Sequence, residues 1–85
     1  MPYIDQNTRE VLRNQDRGPE TSGELNYMIT LILDEYIRTN GVRYQFLNDC
    51  IGALEGAKLE LYRRIVAPYE NMKARQNGDV YTVEG

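Results

Sequence analysis

One apolar segment in the second half of the chain, residues 51–69, constrains the fold most. Gly52 and Gly56 are spaced four residues apart, as are Ala53 and Ala57, so each pair lies on one face of a helix. A glycine inside a helix costs about 1 kcal/mol relative to alanine. Two glycines there predict that another backbone approaches this helix closely, either within a helical hairpin or between subunits.

The length of the chain allows only one small domain. Leu, Ile, Val and Phe together number 20 in 85 residues, which is enough for a modest core. A chain of this size hides about 60% of its unfolded surface, and self-association would hide more. We expect one helical domain over residues 1–85, with 77–85 as a loose tail, in a homo-oligomer.

Composition excludes several partners. The net charge of −3 argues against DNA binding through a basic surface, and no window approaches the roughly 18 apolar residues of a membrane span. The N-terminus lacks the basic start and apolar core of a signal peptide, so we expect a cytoplasmic protein. Cys50 is the only cysteine, which predicts an inert buried thiol and no intramolecular disulfide.

The first predicted helix is short. Asp5 is a suitable N-cap for a helix that extends to about Gln15, with Val11 and Leu12 turned inward. The arginines of this segment are expected to lie outside, at positions Arg9, Arg13 and Arg17.

The second predicted helix extends from the capping-box sequence Thr21–Glu24 to about Asn40, where Gly41 favours a stop. Its main apolar stripe has helical spacing and consists of Leu25, Met28, Ile29, Ile32 and Tyr36. Further apolar residues widen the stripe past one face, namely Tyr27, Leu31, Leu33 and Ile37. A helix this apolar is expected to be covered on more than one side, which again favours a subunit interface.

The third predicted helix starts near Val42, and Pro68 is expected to kink or restart it because proline has no N–H. A polar segment from Tyr69 to Gln76 follows, and residues 77–79 end it. The predicted fold is therefore all-α: a helical hairpin of long second and third helices, with a short N-terminal helix and a flexible C-terminal tail.

Catalytic residues are scarce. There is no histidine and only one serine, Ser22, so the usual general base, metal ligand and triad partner are missing. The acids Glu55 and Glu60 are five residues apart and do not share a helix face, which argues against a carboxylate-bound magnesium. We expect no enzyme activity, no metal site and no cofactor.

The remaining chemistry is aromatic and guanidinium. Tyrosine stacks on bases, and arginine pairs with phosphate. The predicted ligand contacts are Arg43, Tyr44, Tyr62, Arg63, Arg64 and Tyr69, with Arg63 or Arg64 supplied by a neighbouring subunit. The alternative is that the tyrosines edge the core and the arginines pair with glutamates 55, 60 or 70.

Several segments together resemble a family of small proteins of bacteria and their phages that carries no assigned activity. They are residues 25–30, 35–36, 51–60, 62–64, 66–70 and 77–81, with the opening Met-Pro-Tyr-Ile. The resemblance implies a small helical protein that acts by binding, in the host cytoplasm if a phage encodes it.

These observations lead to one functional expectation and two alternatives. We expect a non-catalytic oligomer that sequesters a small phosphorylated ligand, such as a cyclic nucleotide immune signal, and so opposes host defence. The first alternative is an inhibitor or adaptor that binds a host protein. The second is a structural oligomer with no ligand.

Overall fold

The computed structural model describes residues 1–84, and every regular element in this range is helical. Helix α1 covers Gln6–Arg13, α2 covers Ser22–Asn40, and α3 covers Tyr44–Leu61. A π-helical turn, Tyr62–Val66, leads into α4, Ala67–Asn77. The predicted all-α class is confirmed. The chain divides into two compact units, Met1–Asn48 and Asp49–Gly85.

Helix α1 begins at its predicted cap and ends with a left-handed residue. The Asp5 carboxylate accepts hydrogen bonds from the Thr8 N–H at 2.9 Å and the Thr8 hydroxyl at 2.8 Å, which lower the pKa of Asp5. At the other end Gln15 has φ +60°. Its N–H bonds the carbonyl of Leu12, and the next N–H bonds that of Val11. This pattern is a Schellman motif with glutamine in the place that glycine favours.

Helix α2 confirms half of the predicted capping box. The Thr21 hydroxyl accepts from the Glu24 N–H at 3.1 Å. The Glu24 carboxylate, however, bonds the N–H of Glu20 and the guanidinium of Arg17 instead of the Thr21 N–H. At the C-terminus Gly41, with φ +109°, donates to the Ile37 carbonyl at 2.7 Å and stops the helix as predicted.

The core of the first unit lies between α1 and α2. Leu12 is completely buried and Tyr27 nearly so, while Val11 is half-buried, which agrees with the predicted inward face of α1. The prediction that Arg9 and Arg17 lie outside is wrong. Both are half-buried, because each satisfies a polar group close to this core.

Arg9 donates from Nε to the Ile4 carbonyl at 2.7 Å, and its guanidinium lies 6.0 Å from the Tyr27 ring centroid. Arg17 holds the buried Glu24 with two hydrogen bonds of 2.6 and 3.2 Å. Only Arg13 of the three is exposed as predicted.

The apolar surface of α2 is divided between two sides of the helix. Tyr27, which the sequence analysis assigned to the widened part, is buried beneath α1. Most of the predicted main stripe is exposed, at Leu25, Ile29, Ile32 and Tyr36. Helix α1 is short and packs against one side of α2.

The second unit continues α3 through the π-helical turn into α4. Proline cannot donate a helical hydrogen bond, and the wider turn immediately before Pro68 accommodates it, with the Ala67 N–H bonded to the Tyr62 carbonyl. The helix thus restarts at the proline, one of the two predicted outcomes. Cys50 is buried and free, as predicted.

The segment after α4 has no regular structure over residues 78–84. Gly78, with φ +89°, ends the helix, in agreement with the predicted stop. The Tyr81 N–H bonds an Asp79 carboxylate oxygen at 2.9 Å. Whether the segment is loose remains a prediction.

Candidate functional site

The six predicted ligand contacts fall into two groups. Arg43 and Tyr44 belong to the first unit, and the other four belong to the second. The convergence of the two groups on one ligand stays a prediction.

Arg43 and Tyr44 lie where α3 begins. The Arg43 carbonyl accepts from the N–H groups of Phe46 and Leu47, both at 3.0 Å, so the Arg43 backbone is fixed by the first helical turn. Its guanidinium forms no ion pair within residues 1–84. Tyr44 is 84% exposed. The pair therefore offers a cation and an aromatic ring to solvent.

Tyr62 is held by a hydrogen bond across the π-helical turn. Its hydroxyl donates to the Glu70 carboxylate at 2.8 Å. Residues seven apart share a face of an α-helix, and one extra residue in a π turn moves the eighth residue to that place. The turn thereby brings Glu70 under Tyr62. This carboxylate raises the pKa of Tyr62.

The adjacent arginines differ in what they contact. Arg63 donates twice to the Glu60 carboxylate, at 3.0 Å each. Arg64 has no ion pair in the described part of the chain. Arg63 thus pairs with Glu60, one of the glutamates named in the alternative interpretation, whereas Arg64 does not. Arg64 is the cation of this group that remains available to an anion.

Tyr69 lies beyond the proline, with the Lys73 ammonium 5.7 Å from its ring centroid. The ring is about half exposed. Tyr62, Tyr69 and Arg64 therefore provide two accessible aromatic rings and an unpaired guanidinium, a set that can stack on a planar group and pair with a phosphate or carboxylate. Glutamates 60 and 70 lie beside it, and they limit how much negative charge a ligand can bring.

A cavity between α1 and α2 was not predicted from the sequence. It measures about 360 Å³ and is lined by Leu12, Arg13, Gln15, Met28, Leu31, Ile32, Glu35 and Arg38. The left-handed Gln15 is at its edge, and Arg38 is paired with Asp34 at 3.1 Å. No spacing in the sequence indicates this cavity, because its walls come from two helices whose packing is a tertiary feature.

A smaller cavity of about 160 Å³ lies on another side of the same helices. Its lining residues are Pro2, Tyr3, Arg9, Tyr27 and Thr30. The Tyr27 hydroxyl is buried and has no hydrogen-bond partner among the described residues. A buried unsatisfied hydroxyl costs about 1–3 kcal/mol.

A protein-family model matches most of the chain. The sequence model of a domain of unknown function, DUF6899, matches residues 1–80. The chain belongs to this family. No curated protein and no solved structure matches the chain. Membership of DUF6899 confirms that the chain belongs to a family with no assigned function. No helix in the part that the structure describes is both long and apolar enough to cross a membrane.

Proposed function

We propose that this protein is a non-catalytic binding protein that assembles from copies of itself and holds a small phosphorylated ligand, such as a linear or cyclic nucleotide. The observation that carries the ligand proposal is the contrast between neighbouring arginines. Glu60 occupies Arg63, whereas Arg64 and Arg43 have no carboxylate partner in residues 1–84. Arg43 and Arg64 each have a tyrosine within two residues in the sequence.

The aromatic residues complete this ligand contact set. Tyr44 and Tyr62 provide exposed rings, and the Glu70 hydrogen bond orients the second ring without covering it. Arg63 and Tyr69 flank the site. A base would stack on a tyrosine while an arginine pairs with a phosphate. The two groups of residues would come from neighbouring copies.

Exposed apolar residues support assembly. Leu25 and Ile32 on α2, and Ile51 and Leu61 on α3, are all more than half exposed. Burying a large apolar side chain is worth about 1.5–3 kcal/mol. Contact between copies would gain this energy where α1 leaves the helices uncovered.

We also propose that α2 and α3 form a helical hairpin. Only residues 41–43 connect them, and short connections favour antiparallel neighbours. The rings of Tyr36 and Phe46, one from each helix, meet edge to face with centroids 6.2 Å apart.

The resemblance to small bacterial and phage proteins supports a biological role for such binding. We propose that the oligomer sequesters a nucleotide immune signal in the host cytoplasm and so acts against host defence. Sequestration requires affinity but no chemistry, which suits a chain without histidine.

Thermal unfolding in the presence of nucleotides tests the ligand proposal. A ligand at 100 times its Kd stabilises the folded state by about 2.7 kcal/mol. Since an 85-residue chain changes its Tm by about 5 °C per kcal/mol, the Tm should rise by roughly 10–15 °C. The rise should disappear in the double variant Arg43→Ala, Arg64→Ala and persist in the matched control Arg75→Ala, an exposed arginine at the far end of α4.

The ligand proposal fails if no linear or cyclic nucleotide raises the Tm, or if the double variant responds as the wild type does. A rise that falls with added salt would show that phosphate pairing contributes to the affinity.

A second candidate function is binding to a host protein, as an inhibitor or an adaptor. The same exposed apolar residues favour it, because large apolar patches mark protein-binding surfaces. Affinity capture with the wild-type chain distinguishes the two functions. A single host protein bound in molar proportion, together with an unchanged Tm in nucleotides, would support the adaptor.

A further inference from the structure

We infer that a second copy of this chain docks on α2 in an antiparallel, two-fold symmetric arrangement. This inference rests on the proposed self-assembly and specifies its geometry. The contact surface is the α2 stripe, defined as Leu25, Ile29, Ile32 and Tyr36.

The α2 stripe is accessible. Its four residues are 52%, 39%, 68% and 39% exposed, respectively, which amounts to about two complete large side chains per copy. Tyr27, buried against α1, is two residues from both Leu25 and Ile29, and therefore lies about 160° around the helix from them. Helix α1 thus covers the side of α2 that lies away from the stripe. Two stripe residues have other neighbours as well: Ile32 lines the cavity between α1 and α2, and the Tyr36 ring meets the Phe46 ring at the start of α3.

The residues of the α2 stripe have the same spacing whether the helix is followed from its N-terminus or from its C-terminus. Successive members are four, three and four residues apart, which is the a/d pattern of helices that pack with knobs in holes. The centre lies between Thr30 and Leu31. An antiparallel copy turned about this centre places Leu25 against Tyr36 of the second copy and Ile29 against Ile32. A two-fold interface requires such a self-complementary surface.

The antiparallel direction also combines a large and a smaller side chain in each outer layer of the interface. A parallel pair would place two Tyr36 rings in one layer and two Leu25 side chains in another, whereas the antiparallel pair gives each outer layer one of each. The helix dipoles oppose each other in the antiparallel pair, so that unlike ends meet.

The residues beside the α2 stripe are compatible with this direction. Glu35 flanks it, and in the antiparallel register Glu35 lies near Met28 of the second copy and not near another carboxylate. Leu33 and Asn26 flank the other side. No like charges therefore face each other across the interface, and the stripe provides an apolar core with a mostly neutral rim.

Site-directed disulfide formation tests the direction. In a Cys50→Ala background, Leu25→Cys and Tyr36→Cys proteins carrying different tags are mixed and mildly oxidised. We expect a heterodisulfide between the two variants and little cross-linking of either variant alone. In the antiparallel register the two Leu25 positions are about 16 Å apart along the axis, and a disulfide requires Cα atoms within about 7 Å.

A charge variant tests the location without added cysteines. Ile32→Glu should dissociate the wild-type assembly in light scattering while its circular dichroism spectrum stays helical. The control Val80→Glu changes a still more exposed apolar residue outside the helices and should leave the mass unchanged.

The outcomes separate this inference from the proposed assembly. A wild-type chain that is monomeric at high micromolar concentration overturns both. An assembly in which Leu25→Cys cross-links efficiently with itself, or which survives Ile32→Glu, overturns only the antiparallel α2 contact. The nucleotide response of the Tm is measured separately. Because the proposed ligand site takes residues from neighbouring copies, a monomeric chain should show no rise in Tm, whereas an assembly that fails only the antiparallel test should still show it.

Discussion

Replacement of Gly56 by alanine tests whether the glycine row of α3 serves as a helix contact. A Cβ atom placed at Gly52 or Gly56 meets no heavy atom within 4 Å in the described chain. Among residues 1–84, therefore, no atom lies in the position that a closely packed helix would occupy at these two glycines. The other alternative, in which these glycines meet a helix of a second copy, remains a prediction.

The magnitude follows from helix propensity. Alanine in a helix interior is favoured over glycine by about 1 kcal/mol, and unfolding of 85 residues has an entropy of roughly 0.18 kcal/mol/K. In dilute solution, where copies are separate, Gly56→Ala should therefore raise the Tm by about 5 °C. If copies meet on this row, the added methyl groups should cancel the gain at high concentration and weaken association, and Gly56→Leu should do so more strongly.

The assay is thermal unfolding followed by circular dichroism from low to high micromolar concentration, with light scattering at each concentration. Gly41→Ala is the control, because φ is +109° there and alanine should lower the Tm at all concentrations. A lower Tm for Gly56→Ala in the dilute monomer would refute the reasoning, since something within the chain would then pack on Gly56. An equal rise at all concentrations would remove the row from any contact between copies.

Three further predictions concern single side chains. Leu12→Ala should destabilise the protein by about 2–5 kcal/mol and lower its Tm by 10 °C or more, because Leu12 is completely buried and leaves a cavity. Hydrogen bonds from Arg17, and then from a backbone N–H, lower the pKa of Glu24 below its ordinary 4.5. The ionised carboxylate therefore stabilises the fold above pH 4.5, and this stabilisation is lost as the pH falls through the lowered pKa. Glu24→Gln should reduce this loss of Tm at acid pH. Glu70→Gln should lower the pKa of Tyr62, as measured by the absorbance of its phenolate in alkaline titration.

Each of these measurements has a matched control. Leu61→Ala removes the same atoms from a residue that is 57% exposed, and a monomer should tolerate it. Glu20→Gln removes a more exposed partner of the same arginine; if its acid profile changes as much as that of Glu24→Gln, the buried bond does not explain the slope. For Tyr62, the titration difference should vanish when Glu70→Gln is made in a Tyr62→Phe background.

Local sequence signals predicted the helices well and their packing poorly. Asp5, Thr21, Gly41 and Gly78 act where they were expected, because caps and stops depend on the nearest few residues. The half-buried positions of Arg9 and Arg17 could not be predicted, because they depend on how α1 lies against α2. The apolar pattern of α2 identified its inward residues without deciding which would face α1 and which would stay exposed.

The same distinction applies to the candidate site. Glu60 was correctly recognised as an intrahelical partner, since three- and four-residue spacings are visible in the sequence. The hydrogen bond between Tyr62 and Glu70 was not, because an eight-residue spacing indicates no contact in a regular helix. The cavity beside Gln15 required two packed helices and left no periodic signal.

The π-helical turn before Pro68 also changes the directions in which later side chains leave an otherwise continuous helix. One surplus residue rotates everything after it by about 100° relative to an uninterrupted α-helix. Deleting a single residue from Tyr62–Val66 could leave the helical content nearly unchanged and yet turn Tyr69 and Glu70 away from their present directions. The number of residues in this segment therefore sets the angle around the helix axis between the side chains before the turn and those after it. This number should matter more to the protein than the identity of most of the segment's side chains.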